Sequence, residues 1–223
     1  MRRRLCVTIV LWLALACSPA FAQAASSSLP AEVQAAIDAK DWQKAEDLLG
    51  PLIAQAPSWA YYEALGKAQL NLRQDAEAAL SYQRAVELAR RDPAAKSAVG
   101  RMLVSEGNAR LKLQDSAAAI DLYRQAAALD PNPAVAYFNL CATEYNTGAT
   151  AGALADCDKV IAVDPGKADA YFIKGSLLFA DGKLVDGKWV GPPGAAEALG
   201  KYLALAPDGP HAADVNQMLD MLK

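Results

Sequence analysis

Residues 117–131 read AAAIDLYRQAAALDP, and residues 151–165 read AGALADCDKVIAVDP. Each stretch has an alanine (Ala119, Ala153), a bulkier side chain four residues on (Tyr123, Cys157) and a proline twelve after the alanine (Pro131, Pro165). Apolar positions recur at intervals of three and four, the period of a helix rather than a strand. Residues 43–57, QKAEDLLGPLIAQAP, carry the same trio at Ala45, Leu49 and Pro57. Residues 194–207, GAAEALGKYLALAP, carry it at Ala195, Leu199 and Pro207. A further copy has Ala78 and Tyr82, with its proline displaced to Pro93. Successive alanines are 33, 41, 34 and 42 residues apart, so the period is 34 with about seven surplus residues before one copy and eight before the last. Self-similarity at such a period marks an internal repeat of small helical units.

Each copy has an upstream helical half. WAYYEALGKAQLNL (59–72), AVAYFNLCATEYN (134–146) and ADAYFIKGSLLFA (168–180) align without gaps. Tyr62, Tyr137 and Tyr171 are each followed four residues later by a small residue: Gly66, Cys141 and Gly175. Leu103 and Gly107 take these places in the second copy. A small side chain there lets a neighbouring helix approach closely.

This pattern resembles the tetratricopeptide repeat, a 34-residue helix–turn–helix with an aromatic, glycine, alanine and proline signature. The resemblance is specific over residues 59–207 and weaker over 30–57. Trp42, three before Ala45, also sits where the family often has an aromatic. The resemblance implies an all-α, right-handed superhelix of stacked helix-turn-helix repeats, because one helical hairpin cannot bury its apolar face alone. The divisions expected are a degenerate first hairpin at 30–57, repeats at about 59–92, 93–133, 134–167 and 168–209, and a capping helix at 210–223. The surplus before the second full copy, PAAKSAV (93–99), is expected to lengthen one helix to 93–113, with Pro93 in its first turn.

Residues 180–194, ADGKLVDGKWVGPPG, hold the other surplus. Gly182 is expected to cap the preceding helix in the left-handed conformation. Asp186-Gly187, between β-prone residues, predicts a two-residue β-hairpin inserted in the last repeat. An isolated hairpin is marginal, so Trp189 is expected to lean on the repeat ends. Trp189 is also a second candidate contact surface.

The N-terminus reads as a signal peptide over residues 1–22. Arg2, Arg3 and Arg4 precede a twelve-residue apolar run, and Ala20-Phe21-Ala22 offers a cleavage site. The run is shorter than the roughly 20 residues a membrane-spanning helix needs. Ala14-Leu15-Ala16 is a poor match to a lipobox, which argues against a lipid anchor on Cys17. Residues 23–29 form a short flexible leader. Export to the periplasm is expected, with secretion or envelope association as variants. Loss of residues 1–22 leaves 19 basic and 25 acidic residues, a net charge of −6. That balance argues against nucleic acid and anionic membrane surfaces as partners, and no integral membrane span is expected.

Little points to chemistry. His211 is the one histidine, with no ligand set at metal spacing, and it is expected on a solvated surface. GPPG (191–194) lacks the Lys-Ser/Thr of a phosphate loop. Asp181 and Asp186 supply too few oxygens for calcium. The expectation is a non-enzyme without metal or cofactor.

The resemblance implies instead a concave groove lined by first helices that binds a protein or peptide segment. Carried over to this chain, that face includes Glu63, Lys67, Asn71 and Arg101, then Asn108 and Lys112. Phe138, Asn139, Tyr145 and Asn146 follow, with Phe172 and Phe179 at the far end. The alternative for each aromatic is a place in the core between repeats. Glu63 stands where the carboxylate-clamp subtype has a lysine, which argues against a C-terminal carboxylate as ligand. The same alignment faces Cys141 toward Cys157, and the two either form a disulfide or remain free thiols in the core. Two other readings stay open: an envelope assembly factor using outer faces or repeat ends, and a binder of a small envelope ligand.

Overall fold

The computed structural model describes residues 28–222. The expected signal peptide, residues 23–27 of the leader and Lys223 lie outside the described residues. Within them the chain runs as α1 (Ala31–Asp38), α2 (Trp42–Gln55), α3 (Trp59–Asn71), α4 (Asp75–Ala89), α5 (Lys96–Lys112) and α6 (Ser116–Leu129). There follow α7 (Ala134–Thr147), α8 (Thr150–Val163), α9 (Ala168–Ala180), strands β1 (Lys183–Val185) and β2 (Lys188–Val190), α10 (Ala195–Leu205) and α11 (Ala212–Met221). Helices pack on their sequence neighbours, and α7 additionally meets α9. That contact pattern is the solenoid expected of stacked repeats.

The repeated small residues do specific work where the helices cross. A Cβ at Gly107 would lie 2.5 Å from the Tyr123 ring, one at Gly175 would lie 2.7 Å from Leu199, and one at Gly66 would lie 3.0 Å from Tyr82. In three hairpins, then, a glycine on the first helix receives a large side chain from the second. Tyr82, Tyr123 and Leu199 are buried there. The fourth hairpin fills the same place with Cys141 and Cys157, which form a disulfide with Cα atoms 5.1 Å apart.

The turns inside the hairpins repeat too. Lys40, Arg73, Gln114 and Gly148 have φ of 56°, 64°, 61° and 78°. Each stands immediately before the cap of a second helix. Asp41 and Asp115 then accept hydrogen bonds from the backbone N–H groups of Lys44 and Ala118, satisfying otherwise unpaired first-turn donors. Only Gly148 adopts the left-handed conformation without a Cβ penalty. Gln114→Gly is therefore expected to raise unfolding stability by up to about 1 kcal/mol, measurable by urea denaturation; a lower midpoint would contradict it.

Two local expectations are corrected. The α-helix begins not at Pro93 but at Lys96, after a 3-10 turn over Pro93–Ala95 capped by Asp92, whose carboxylate accepts from the Ala94 N–H. Gly182 is not left-handed: the positive-φ glycines are Gly148, Gly187 and Gly194. Its role is steric, because a Cβ there would lie 2.5 Å from Trp189 Nε1.

The insertion is a two-stranded antiparallel hairpin between α9 and α10, with Leu184 opposite Trp189. Asp186 and Gly187 turn with φ of 50° and 79°, a twist that matches paired strands. Trp189 Nε1 donates to the Phe179 carbonyl at 3.1 Å, and its ring lies 5.6 Å from that of Phe179. At the C-terminal end, Val215 of α11 is buried with Leu199 and Tyr202 of α10, covering the apolar face the last repeat would otherwise expose.

Candidate functional site: the groove along the first helices

A groove of about 750 Å³ runs along α1, α3 and α5. Gln34 and Ile37 come from α1, Trp59, Glu63 and Lys67 from α3, and Arg101 and Ser105 from α5; Tyr82 of α4 reaches in from behind. First-helix residues face it because the opposite faces of α3 and α5 are used against α4 and α6. Glu63 and Arg101 pair in a two-bond fork, Arg101 Nε donating to Oε1 at 2.8 Å and Nη2 to Oε2 at 3.1 Å. The pair bridges α3 and α5 and raises the Arg101 pKa, mainly through that hydrogen bond, with burial opposing it. Lys67 is exposed, with its ammonium 5.8 Å from the Trp42 ring centroid.

Burial pushes the Tyr82 hydroxyl up to about 12; the hydrogen bond to Ser105 opposes this and the Glu63 charge adds to it. Tyr82 therefore remains a neutral hydroxyl at ordinary pH. Gln34, Trp59, Tyr82 and Ser105 were not among the residues expected from sequence. Tyr82 was legible only as the bulky residue four after the repeat alanine Ala78. That it also reaches the groove depends on the absent side chain of Gly66.

Further along, Asn108 Oδ1 accepts from the Tyr123 hydroxyl at 2.7 Å and from Asn139 Nδ2 at 3.5 Å. The two asparagines thus link α5 to α7 across a repeat boundary. Lys112 and Asn146 are exposed. Asn71 is exposed and donates to the Lys67 carbonyl of its own helix.

The aromatic residues are mostly covered by the chain itself. Phe138 is half-buried beneath Lys167, whose ammonium is 4.2 Å from the ring centroid. Tyr145 is half-buried against the cluster holding the disulfide. Phe172 is stacked face to face on His211, with centroids 3.8 Å apart and planes 4° from parallel. His211 is therefore packed on a ring rather than solvated, because the segment before α11 folds back over α9. Phe179 is occupied by Trp189. The open part of the groove lies toward the N-terminal repeats, not at the aromatic end.

Among the described residues no group of three or more His, Cys, Asp or Glu side chains is placed to hold a metal. None of their helices is long and apolar enough to cross a membrane.

Residues 31–95 and 104–166 match the family described as tetratricopeptide repeat. The human small glutamine-rich tetratricopeptide repeat-containing protein beta is 45% identical over 56 residues, which is 25% of this chain and 18% of that protein. The chain thus spans about a fifth of that relative's length. Among solved structures, YrrB, described as a TPR protein with an unusual peptide-binding site, is 19% identical over 83% of this chain and 88% of its own, with a TM-score of 0.66. MamA is 19% identical over 85% of this chain and 97% of its own, with a TM-score of 0.65. At such identity these two likenesses are of fold.

Proposed function

The chain belongs to the tetratricopeptide repeat family, and from that premise we propose that it is a non-enzymatic, exported scaffold that binds an extended segment of a partner protein in its concave groove. Repeats of this family generally mediate protein–protein interaction and are typically non-enzymatic. The observation that carries the reading is the open groove of about 750 Å³ on the first helices. Its floor offers apolar surface from Trp59 and Ile37, and its walls offer fixed polar groups at Tyr82, Glu63 and Arg101. Lys67 and Arg101 outnumber Glu63, and Lys67 is exposed while the Arg101 fork is held by Glu63, so the groove favours a segment carrying an acidic side chain that meets Lys67. Asn108 and Asn139 extend the track toward Lys112 and Asn146, and amide side chains can both donate to and accept from an extended backbone. Phe138 and Tyr145 add partly buried aromatic contact. Phe172 and Phe179 are engaged by His211 and Trp189 and are left out of the site.

Export is supported by the basic, apolar and small-residue order of residues 1–22 and by the Cys141–Cys157 disulfide, a bond that persists in oxidising compartments. The periplasm suits both.

Selection from a displayed random-peptide library tests the groove. Peptides enriched on the wild-type protein are expected to lose at least tenfold in affinity on Arg101→Glu/Lys67→Glu. They should keep it on Lys201→Glu, outside the groove. Equal binding to all three proteins would place recognition elsewhere.

A further inference from the structure

A second cavity, of about 410 Å³, is formed by α6, α7 and α8 and shares no lining residue with the groove. Two carboxylates line it, Glu144 of α7 and Asp156 of α8, which are only 3% and 5% exposed. Each is met by one cation at the rim: Arg124 Nη2 lies 2.7 Å from Glu144 Oε1, and Lys159 Nζ lies 2.6 Å from Asp156 Oδ1. The second Glu144 oxygen, Oε2, is buried without a hydrogen-bond partner. An unpaired buried carboxylate oxygen is costly, and the fold makes room for it deliberately: a Cβ at Gly152 would collide with that carboxylate.

The repeat itself does not require these acids. One period on, in the neighbouring hairpin, Leu178 and Ala198 occupy the positions of Glu144 and Asp156. The rim cations are the loose half of each pair, since the Arg124 and Lys159 side chains are 61% and 53% exposed. Lys159 also lies 5.3 Å from the centre of the Tyr137 ring. Its pKa is raised chiefly by the hydrogen bond to Asp156, with burial opposing and the Asp156, Tyr137 and Glu144 charges contributing. Tyr137, Leu140 and Ala128 supply an apolar wall beside the charges.

We propose that this cavity is a binding site for an alkylammonium group, whose N–H donors meet Glu144 and Asp156 while its aliphatic stem lies on Tyr137, Leu140 and Ala128. The chemistry required is a primary ammonium on a short methylene chain. A free diamine and a lysine side chain of a partner protein both present it. Lys159 and Arg124 occupy the acids in the unliganded protein and swing outward on binding; their own charges move to solvent, and the incoming N–H donors replace theirs at the buried carboxylates, so neither acid is left unpaired. The aromatic face of Tyr137 then attracts the incoming cation as it attracts Lys159.

Isothermal titration calorimetry with cadaverine, and separately with Nα-acetyl-lysine methylamide, tests the site on the purified full chain. Saturable binding of either is expected; cadaverine alone would assign the site to a free diamine, and the lysine derivative to a partner's side chain. Choline, a cation without N–H donors, should bind at least tenfold more weakly. Glu144→Gln is expected to weaken binding at least tenfold, and Arg124→Gln, which removes the internal competitor, to tighten it severalfold. Asp156→Asn, expected to weaken binding, decides if Glu144→Gln fails to fold. Absence of saturable binding by both amines overturns the proposal, and so does equal weakening by the Glu144 and Arg124 variants, which would make the ion pair purely structural.

Discussion

Reduction of the Cys141–Cys157 disulfide is expected to lower the unfolding free energy by about 3 kcal/mol, the loop-closure value for a cross-link of this span. The cysteines are 16 residues apart in sequence and fully buried. The effect has a second source in the packing. In three of the other hairpins the same crossing is filled by a glycine and a large side chain. Two separate thiols supply neither that large side chain nor the covalent bond. Guanidinium denaturation with and without reductant measures the difference, and superimposed curves would show that the bond contributes nothing. Cys141→Gly/Cys157→Tyr, which rewrites the crossing in the form used at Gly107 and Tyr123, is expected to be more stable than Cys141→Ala/Cys157→Ala. Its melting should also be insensitive to reductant.

Tyr123→Ala is the other large effect, expected to cost about 3–5 kcal/mol. Tyr123 is fully buried, packed in one cluster with Ala119 and Leu140. Truncation empties the space between α5 and α6, where Gly107 has no side chain to fill the void. It also removes the hydroxyl that holds Asn108. Tyr123→Phe separates the two losses: about 1 kcal/mol for the hydrogen bond, with the packing retained. Burial raises the Tyr123 pKa, so the hydroxyl stays a donor and this bond survives alkaline pH better than one from an ordinary tyrosine. Thermal unfolding of the two variants should therefore rank wild type, Tyr123→Phe and Tyr123→Ala in falling order. A Tyr123→Ala protein within 1 kcal/mol of wild type would mean that the crossing is not what holds the hairpin together.

The solenoid was legible because its determinants are local and repeated. Ala119, Tyr123 and Pro131 lie within one helix and its exit, so their spacing survives in the bare sequence. The Asp186-Gly187 hairpin was legible for the same reason, since two residues set its turn. The start of α5 was not, because Asp92 captures the Ala94 N–H and tightens the first turn after Pro93. Gly182 was misread because a glycine after a helix has two uses, positive φ and close approach. The choice between them here rests with Trp189, seven residues away.

Sequence alone pointed to the repeat family and marked the small positions of the first helices and the bulky positions of the second, because period and side-chain size act within one repeat. It did not determine which aromatic residues remain available. Phe172 and Phe179 share the right helical face with Phe138 and Tyr145, yet His211 and Trp189 take them. Nor did it pair Arg101 with Glu63, 38 residues apart, or leave one oxygen of Glu144 without a partner. The first two depend on how the inserted hairpin and the segment before α11 fold back on the stack, the others on how neighbouring helices meet, and only tertiary packing brings such distant side chains together.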